Sequence, residues 1–271
     1  MKFKGPGEVL RVLLCCFFGC LIDIATAGPT PRKTGRSALV FAPHQDDETL
    51  GCGGTILKKK QVGTDVKIIF MTDGNMSGTR PELHGELLKE IRASEALAAA
   101  SVLGLQQQEV LFLEYPDRGL HLHQPEAIEK IKAILDRERP QEVFMPHYKD
   151  GHGDHSATNR IVRAAILQSG RGVTVYEYPV WFWNHWPWVK MGTGIYGGMP
   201  MFKKSMSHFW PKLREFNCSV DVREFLPAKR AAYCRYESQK ELNVFLDGTF
   251  IKQFFRGKEY FIRYELGSDV A

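Results

Sequence analysis

Phe41-Ala-Pro-His-Gln-Asp-Asp-Glu-Thr-Leu-Gly-Cys-Gly-Gly54 is the stretch whose reading decides this chain. It closes the short apolar run 38–42 and places an imidazole (His44), two adjacent carboxylates (Asp46, Asp47) and a third acid (Glu48) where a strand ends. A second polar cluster, Asp150-Gly-His-Gly-Asp-His155, follows another apolar run, 142–146. Either cluster alone is weak evidence. Two of them, each at a strand end, read as a divalent-metal site.

Working outward, apolar runs at 38–42, 66–72, 110–113, 142–146 and 173–180 predict strands. Amphipathic stretches at 48–60, 82–103, 125–137 and 154–168 predict helices, the second stopped by Gly104. This alternation predicts an α/β fold, a three-layer α/β/α sandwich around a mostly parallel sheet. Such sheets bind ligands at the carboxyl ends of their strands, where both polar clusters sit. Gly51, Gly53 and Gly54 fall within two turns of the first helix, a costly choice that implies close packing against its backbone. The pattern breaks over 181–217, where Trp181, Trp183, Trp186 and Trp188 crowd together before a Gly-rich run at 192–198. An irregular insertion beside the site, acting as a lid, is expected there. A turn and helix over 221–240 and late edge strands over 260–264 complete the expectation.

A chain of 271 residues, 44% hydrophobic, can bury one substantial core or at most two. Its net charge of +5 comes without a basic block or a basic stripe among aromatics, which argues against nucleic acid as a partner. Lys2, Lys4 and Arg11 precede the apolar run 12–21, and Ala25-Thr26-Ala27 has the small-x-small pattern of a cleavage site. Residues 1–27 therefore predict an export signal, followed by a polar linker at 28–37 and a folded part over 38–271. The run is short for a membrane span, and Asp23 is unusual beside it. Anchoring through an uncleaved segment is the alternative, with lipid attachment at Cys20 a weaker one; membrane contact is expected only if the segment is retained. Outside it, Cys52, Cys218 and Cys234 allow at most one disulfide and fit no Cys-rich zinc site, so small buried thiols are expected.

A His and a carboxylate three positions apart, joined by a distant His, suit Zn²⁺. Two imidazoles and one carboxylate leave a fourth position for water, as catalytic zinc requires. His44, Asp47 and His155 are the expected ligands, and the same set accepts Fe²⁺ or Co²⁺. Asp46 points away from Asp47 and is free to act as general base. His152, one helical turn before His155, could stabilise an oxyanion or protonate a leaving amine. Asp154 would orient an imidazole from behind, with Glu48 as a further supporting acid. Plainer readings stand beside these: Glu48 or Asp47 as helix caps, Asp154 as an N-cap, and His152 as an exposed loop residue.

The segment Pro43-His44-Gln45-Asp46-Asp47-Glu48 resembles the Pro-Asp-Asp-Glu signature of the LmbE-like (PIG-L-like) zinc de-N-acetylases. His152-Gly153-Asp154-His155 looks like their second motif, and the resemblance spans roughly residues 38–240. It implies a Rossmann-like sandwich, one zinc, and removal of acetyl from an N-acetylglucosamine-type sugar. It also implies the same ligands, base and oxyanion residue as the chemistry. Asp73, in Thr72-Asp73-Gly74, resembles a loop that lines the family's substrate pocket. Arg92 with Glu95 resembles its Arg-x-x-Glu helix, whose Arg reaches substrate; an i,i+3 ion pair is the plainer reading. Asp117 and Asp150, near further strand ends, join the candidate substrate contacts. Lys229 and Ser238-Gln239 look like a late family element. Two departures are Gln45 for the usual Pro and Tyr236 where the family often has His. Trp183 is a candidate sugar-stacking platform or a core residue, while His185 and His208 lack ligand-like spacing.

The expected activity is zinc-dependent N-deacetylation of an N-acetylated amino sugar or a glycoconjugate carrying one. An amidase for a larger acyl or peptide-like amide is the alternative within enzymes. A carbohydrate-binding protein without turnover is the alternative outside them, and Asp46 argues against it. Gly51–Gly54 lacks the spacing of a dinucleotide-binding loop.

Overall fold

β1 (Ala38–Ala42) is buried at every residue because it lies inside the sheet, with neighbours on both edges and helices on both faces. The computed structural model describes residues 6–26, 35–77, 81–184, 188, 215–240 and 249–267. β1 pairs in parallel with β2 (Val66–Thr72) and β4 (Glu142–Pro146), so that Val40 faces Ile68 on one side and Phe144 on the other. β3 (Val110–Tyr115) extends the sheet beyond β2, and β5 (Val173–Tyr178) beyond β4, both in parallel. β7 (Lys258–Leu266) then pairs antiparallel with β5, and β6 (Cys218–Asp221) antiparallel with β7, giving the order β3-β2-β1-β4-β5-β7-β6.

Side chains alternate across this sheet and fill two cores. Val40, Ile68 and Phe70 pack with α2 (Asp47–Gln61), α3 (Glu86–Val102) and α6 (Leu226–Tyr233) through Ile56, Ala99 and Ala232. Leu39, Phe41 and Ile69 pack with α4 (Gln124–Glu138) and α5 (Gly153–Ser169) through Ile131 and Ile161. Burial on both faces explains why the parallel strands read as continuous apolar runs. The expected three-layer sandwich with a mostly parallel sheet is what forms. The chain steps from β1 to β2 and β3 in one direction, then to β4 and β5 in the other. The reversal leaves a crevice beyond the carboxyl ends of β1 and β4, the two strands that carry the polar clusters.

The glycines of α2 have a steric cause. A Cβ on Gly51 would sit 2.3 Å from the Tyr178 ring, and one on Gly54 2.5 Å from Val222. The helix also admits side chains into its ladder. Lys229 donates to the Leu50 carbonyl at 2.9 Å, while Glu259 accepts the amides of Gly54 and Thr55 at 2.7 and 2.8 Å. In an unbroken helix the Gly54 amide would bond to that same Leu50 carbonyl. Lys229 and Glu259 meet at 2.7 Å, both buried, so the two inserted charges neutralise each other.

Three expectations change. The helix expected from residue 82 begins at Glu86, because Gly85 takes φ 97° and leaves Pro81–Leu83 as a separate turn. β6 was not foreseen: four residues carry too little pattern. β7, expected as a short edge strand, runs nine residues inside the sheet, and β6 forms the edge. Most of the expected insertion and lid, residues 185–187 and 189–214 with Trp186, His185 and His208, lies outside the described residues, as do 27–34 of the linker and cleavage region.

The N-terminal segment forms helix α1 (Pro6–Ala25). Its Cys15, Phe18 and Ile22 join the core shared with β6 and β7, and Leu10, Leu13, Phe17 and Ile24 face outward. Asp23 pairs with Lys258 at 2.8 Å and accepts the Tyr260 hydroxyl at 3.0 Å. No described helix is long and apolar enough to cross a membrane. Cys52 and Cys218 are buried thiols and Cys234 is exposed; none is in a disulfide.

Candidate metal centre and active site

The turn after β1 is pinned to β2. Thr72 donates to the Pro43 carbonyl through its amide (3.0 Å) and hydroxyl (2.8 Å), and the Gln45 amide group donates back to the Thr72 carbonyl at 3.0 Å. Gln45 thus fills the place of the usual proline with a bond of its own. Asp46 is held at φ 130°, ψ −25°, a strained conformation for a residue with a Cβ. Its amide donates to Glu48 at 3.1 Å, and the other Glu48 oxygen accepts the buried Tyr236 hydroxyl at 2.6 Å. Its carboxylate lies 3.5 Å from Arg92, whose guanidinium also bonds the Gln45 and Gly74 carbonyls.

Asp47 Oδ2 lies 3.2 Å from His44 Nδ1 and 3.2 Å from His155 Nε2. Ligand atoms 2.0–2.1 Å from a tetrahedral ion stand about 3.4 Å apart, so these two separations fit one. The opposite nitrogens face other carboxylates: His155 Nδ1 meets Asp150 at 2.8 Å, and His44 Nε2 meets Asp117 and Asp154 at 3.3 Å each. Each outer nitrogen therefore donates its N–H outward, which turns two lone pairs toward a carboxylate. Three electron-rich atoms buried together require a cation between them, a metal ion or added protons. His155 Nε2 is fully buried, and the atom it faces is Asp47 Oδ2.

His44, His152 and His155 also bring ring nitrogens within 4.8 Å of one another, and His44, Asp117 and Asp154 form a second such group. The second group orients rather than binds. Asp154 already accepts the amides of Arg118 (2.7 Å) and Leu120 (3.3 Å), and Asp117 accepts the Met76 amide (3.1 Å) and Ser77 hydroxyl (3.0 Å).

The electrostatics follow. Burial alone would lower His155, but the charge of Asp47 and bonds to Asp150 and Asp47 push it up to about 9. Burial likewise opposes His44, yet its three carboxylates raise it well above the usual histidine range. Asp47 resists burial and sits well below the carboxylate range because of His155 and His44. A bound cation would displace those imidazole protons. Asp46 is pushed up to about 7, first by burial and then by Asp47 and Glu48, against Arg92. His152 is pushed down to about 4 by burial and by the neighbouring imidazoles. It is therefore neutral. Its Nδ1 accepts the Asp154 amide at 3.3 Å, so Nε2 carries the hydrogen and is a donor.

Asp46, Asp47 and His152 border a narrow cavity of about 70 Å³, with Leu50, Val180, Trp181, Phe250 and Ile251 as its apolar wall and Arg92, Ser77 and Gln239 among its polar lining. Of the expected substrate contacts, only Arg92 borders it, and Arg92 is 1% exposed with its two terminal nitrogens on the Gly74 and Gln45 carbonyls. Glu95 turns away from Arg92 to accept the amide and hydroxyl of Ser238 at 2.8 and 2.6 Å. Asp73 ties two loops together by accepting the amides of Asn75 and Asp117. Asp117 and Asp150 lie behind the histidines instead of facing the cavity. Trp183 is core, 4% exposed and edge-on to Trp188 at 5.1 Å. Among the described residues the tryptophan at the cavity is Trp181, which sequence reasoning passed over; its place just beyond β5 was the available signal.

A doubly wound sheet with two imidazoles and a carboxylate converging at its reversal defines an α/β protein with a candidate metal centre. Comparison makes the class specific: the pattern of the GlcNAc-PI de-N-acetylase (PIG-L) family matches residues 39–166. A Bacillus anthracis protein named as a probable N-acetyl-α-D-glucosaminyl L-malate deacetylase 2 is 30% identical over 159 residues, 56% of this chain and 69% of that protein. The diacetylchitobiose deacetylase of Thermococcus kodakarensis is 34% identical over 128 residues, and the chain spans about half its length, 47%, matching with 46% of its own. The solved N,N'-diacetylchitobiose deacetylase of Pyrococcus horikoshii superposes with a TM-score of 0.64 over 98% of this chain and 95% of that one; at 22% identity this speaks for the fold. This chain belongs to the PIG-L family.

Proposed function

We propose that the protein hydrolyses the acetamide of an N-acetylated amino sugar, or of a glycoconjugate carrying one, releasing acetate and the free amine. The observation that carries this is the convergence of His44, Asp47 and His155 beside a strained, half-buried carboxylate poised near neutrality, Asp46. Zn²⁺ held by His44, Asp47 and His155 would supply Lewis acidity that polarises the acetamide and acidifies water; Fe²⁺ or Co²⁺ would suit the same donors. Asp46 takes the proton of the attacking water and later returns one to the departing amine as the C–N bond breaks. His152 aims an N–H at the developing oxyanion. Arg92 and Glu48 hold Asp46, while Asp117, Asp154 and Asp150 fix the ligand rings. Trp181 and Phe250 offer apolar faces to the sugar ring.

The sugar specificity draws support from relatives named for diacetylchitobiose and N-acetylglucosaminyl malate. Metal analysis paired with acetate release from a panel of N-acetylhexosamine compounds tests the reading. One equivalent of zinc with chelator-sensitive acetate release is expected. Zinc without acetate would redirect it to larger amides, and failure to take up zinc would overturn it.

For location we propose export, on the order of cations, apolar run and small residues in 1–27. The pairing of Asp23 with Lys258 favours a second reading, in which α1 stays on the mature protein. The mass of the exported chain separates the two.

A further inference from the structure

Behind His155 the Asp150 side chain is 0% exposed, and its two oxygens face in different directions. Oδ2 lies 2.8 Å from His155 Nδ1. Oδ1 accepts the amides of Val180 and Phe182, each at 3.0 Å. The residue between those amides is Trp181, whose indole stacks on His152 (5.9 Å, 17°) and on Phe250 (5.7 Å, 27°). One buried carboxylate thus grips a candidate metal ligand with one oxygen and, with the other, the turn that forms the aromatic wall.

We propose that Asp150 is a positioning residue that couples cation binding at His155 to the placement of Trp181 over His152. The inference rests on the reading of His44, Asp47 and His155 as ligands. By accepting the Nδ1 hydrogen, Asp150 keeps the Nε2 lone pair turned toward Asp47. A cation on Nε2 makes the Nδ1 hydrogen a stronger donor, and the bond to Asp150 tightens. The same carboxylate is then held harder against Val180 and Phe182, so the centre and the wall that faces the sugar order together.

Three donors converge on this side chain, and a carboxylate can satisfy them all. The carboxamide of an Asp150→Asn variant leaves at least one mismatched. If that carboxamide kept the Val180 and Phe182 amides on its oxygen, its NH₂ would face Nδ1 and drive the hydrogen to Nε2, where it blocks a cation. If it were flipped, the NH₂ would face the two amides and free the turn.

The experiment measures zinc affinity by chelator competition, and amide exchange across residues 178–184 with and without zinc, in wild type and Asp150→Asn. Zinc should slow exchange at Val180 and Phe182 in the wild type. Asp150→Asn should weaken zinc binding about 10–100-fold and remove the zinc dependence of that exchange. Zinc affinity within about two-fold of wild type would overturn the proposal, and a raised KM with unchanged affinity would make Asp150 a substrate contact instead. Wild-type exchange at those amides that ignores bound zinc would overturn it as well, without any variant that must fold. If the wild type bound no divalent cation, the metal-centre reading itself would fall and take this one with it.

Discussion

Asp46 carries two unfavourable features at once, a backbone at φ 130° and a carboxyl pushed up to about 7 by burial and its acidic neighbours. Strain of this kind costs of order 1–3 kcal/mol and persists only where the surroundings hold it. Here the holders are Glu48, Tyr236 and Arg92. Asp46→Asn keeps the shape and the three ligands but removes the proton acceptor. It should retain one zinc and lose about 10²–10⁴-fold in kcat; loss of zinc together with turnover would remove the base assignment. Tyr236→Phe leaves a buried Glu48 oxygen with one donor fewer, a cost of about 1–3 kcal/mol in a urea melt, with zinc content unchanged. The candidate ligands could be picked out in the sequence because two short clusters each carry their own spacing. The roles of Asp150 and Tyr236 could not, since the partners of one lie some thirty residues on and the partner of the other nearly two hundred residues back. Trp181 and Trp183 differ in sequence only by position in a turn whose direction no local pattern reveals.

At the scale of elements, α2 shows what a costly sequence choice signifies. Its glycines predicted a close neighbour, and Tyr178, pinned by its hydroxyl to the Phe41 carbonyl at 2.8 Å, is that neighbour. A ring so fixed has little room to yield. Gly51→Ala should therefore destabilise the protein by about 1–3 kcal/mol, read as a shift in urea midpoint with unchanged slope. Part of the loss should return when Tyr178→Leu is added, because the clash is with the ring. A Gly51→Ala protein as stable as wild type would mean that α2 and β5 do not approach so closely. Strands β1, β2 and β4 were legible to the residue because burial on both faces writes an uninterrupted apolar run. β6 was not, since four residues at an edge, alternating buried and half-buried, leave no such mark. The Lys229–Glu259 insertion was equally silent, because it joins three segments by charge and not by periodicity.

The whole molecule couples its stability to pH through the centre, and the sign depends on which cation fills it. Without metal, His155 is raised to about 9 from an ordinary 6.5, and His44 is raised as well. Groups raised by folding stabilise fully below their ordinary value and lose that contribution as pH climbs through the folded one. Asp46, raised from 3.8 to about 7, acts in the same sense at lower pH. Asp47, held down, contributes above its ordinary value and withdraws only in acid. Chelated protein should therefore melt at progressively lower temperature from pH 6.5 to pH 9. Zinc at the centre would reverse the dependence by replacing those protons, and its affinity should rise over the same interval. Each tenfold gain in affinity at fixed excess zinc adds about 1.4 kcal/mol to the folded state. The difference in melting temperature between zinc-loaded and chelated protein should thus widen toward pH 9. A difference that stays flat, with a chelated protein indifferent to pH, would mean that His44 and His155 do not both turn a lone pair toward Asp47.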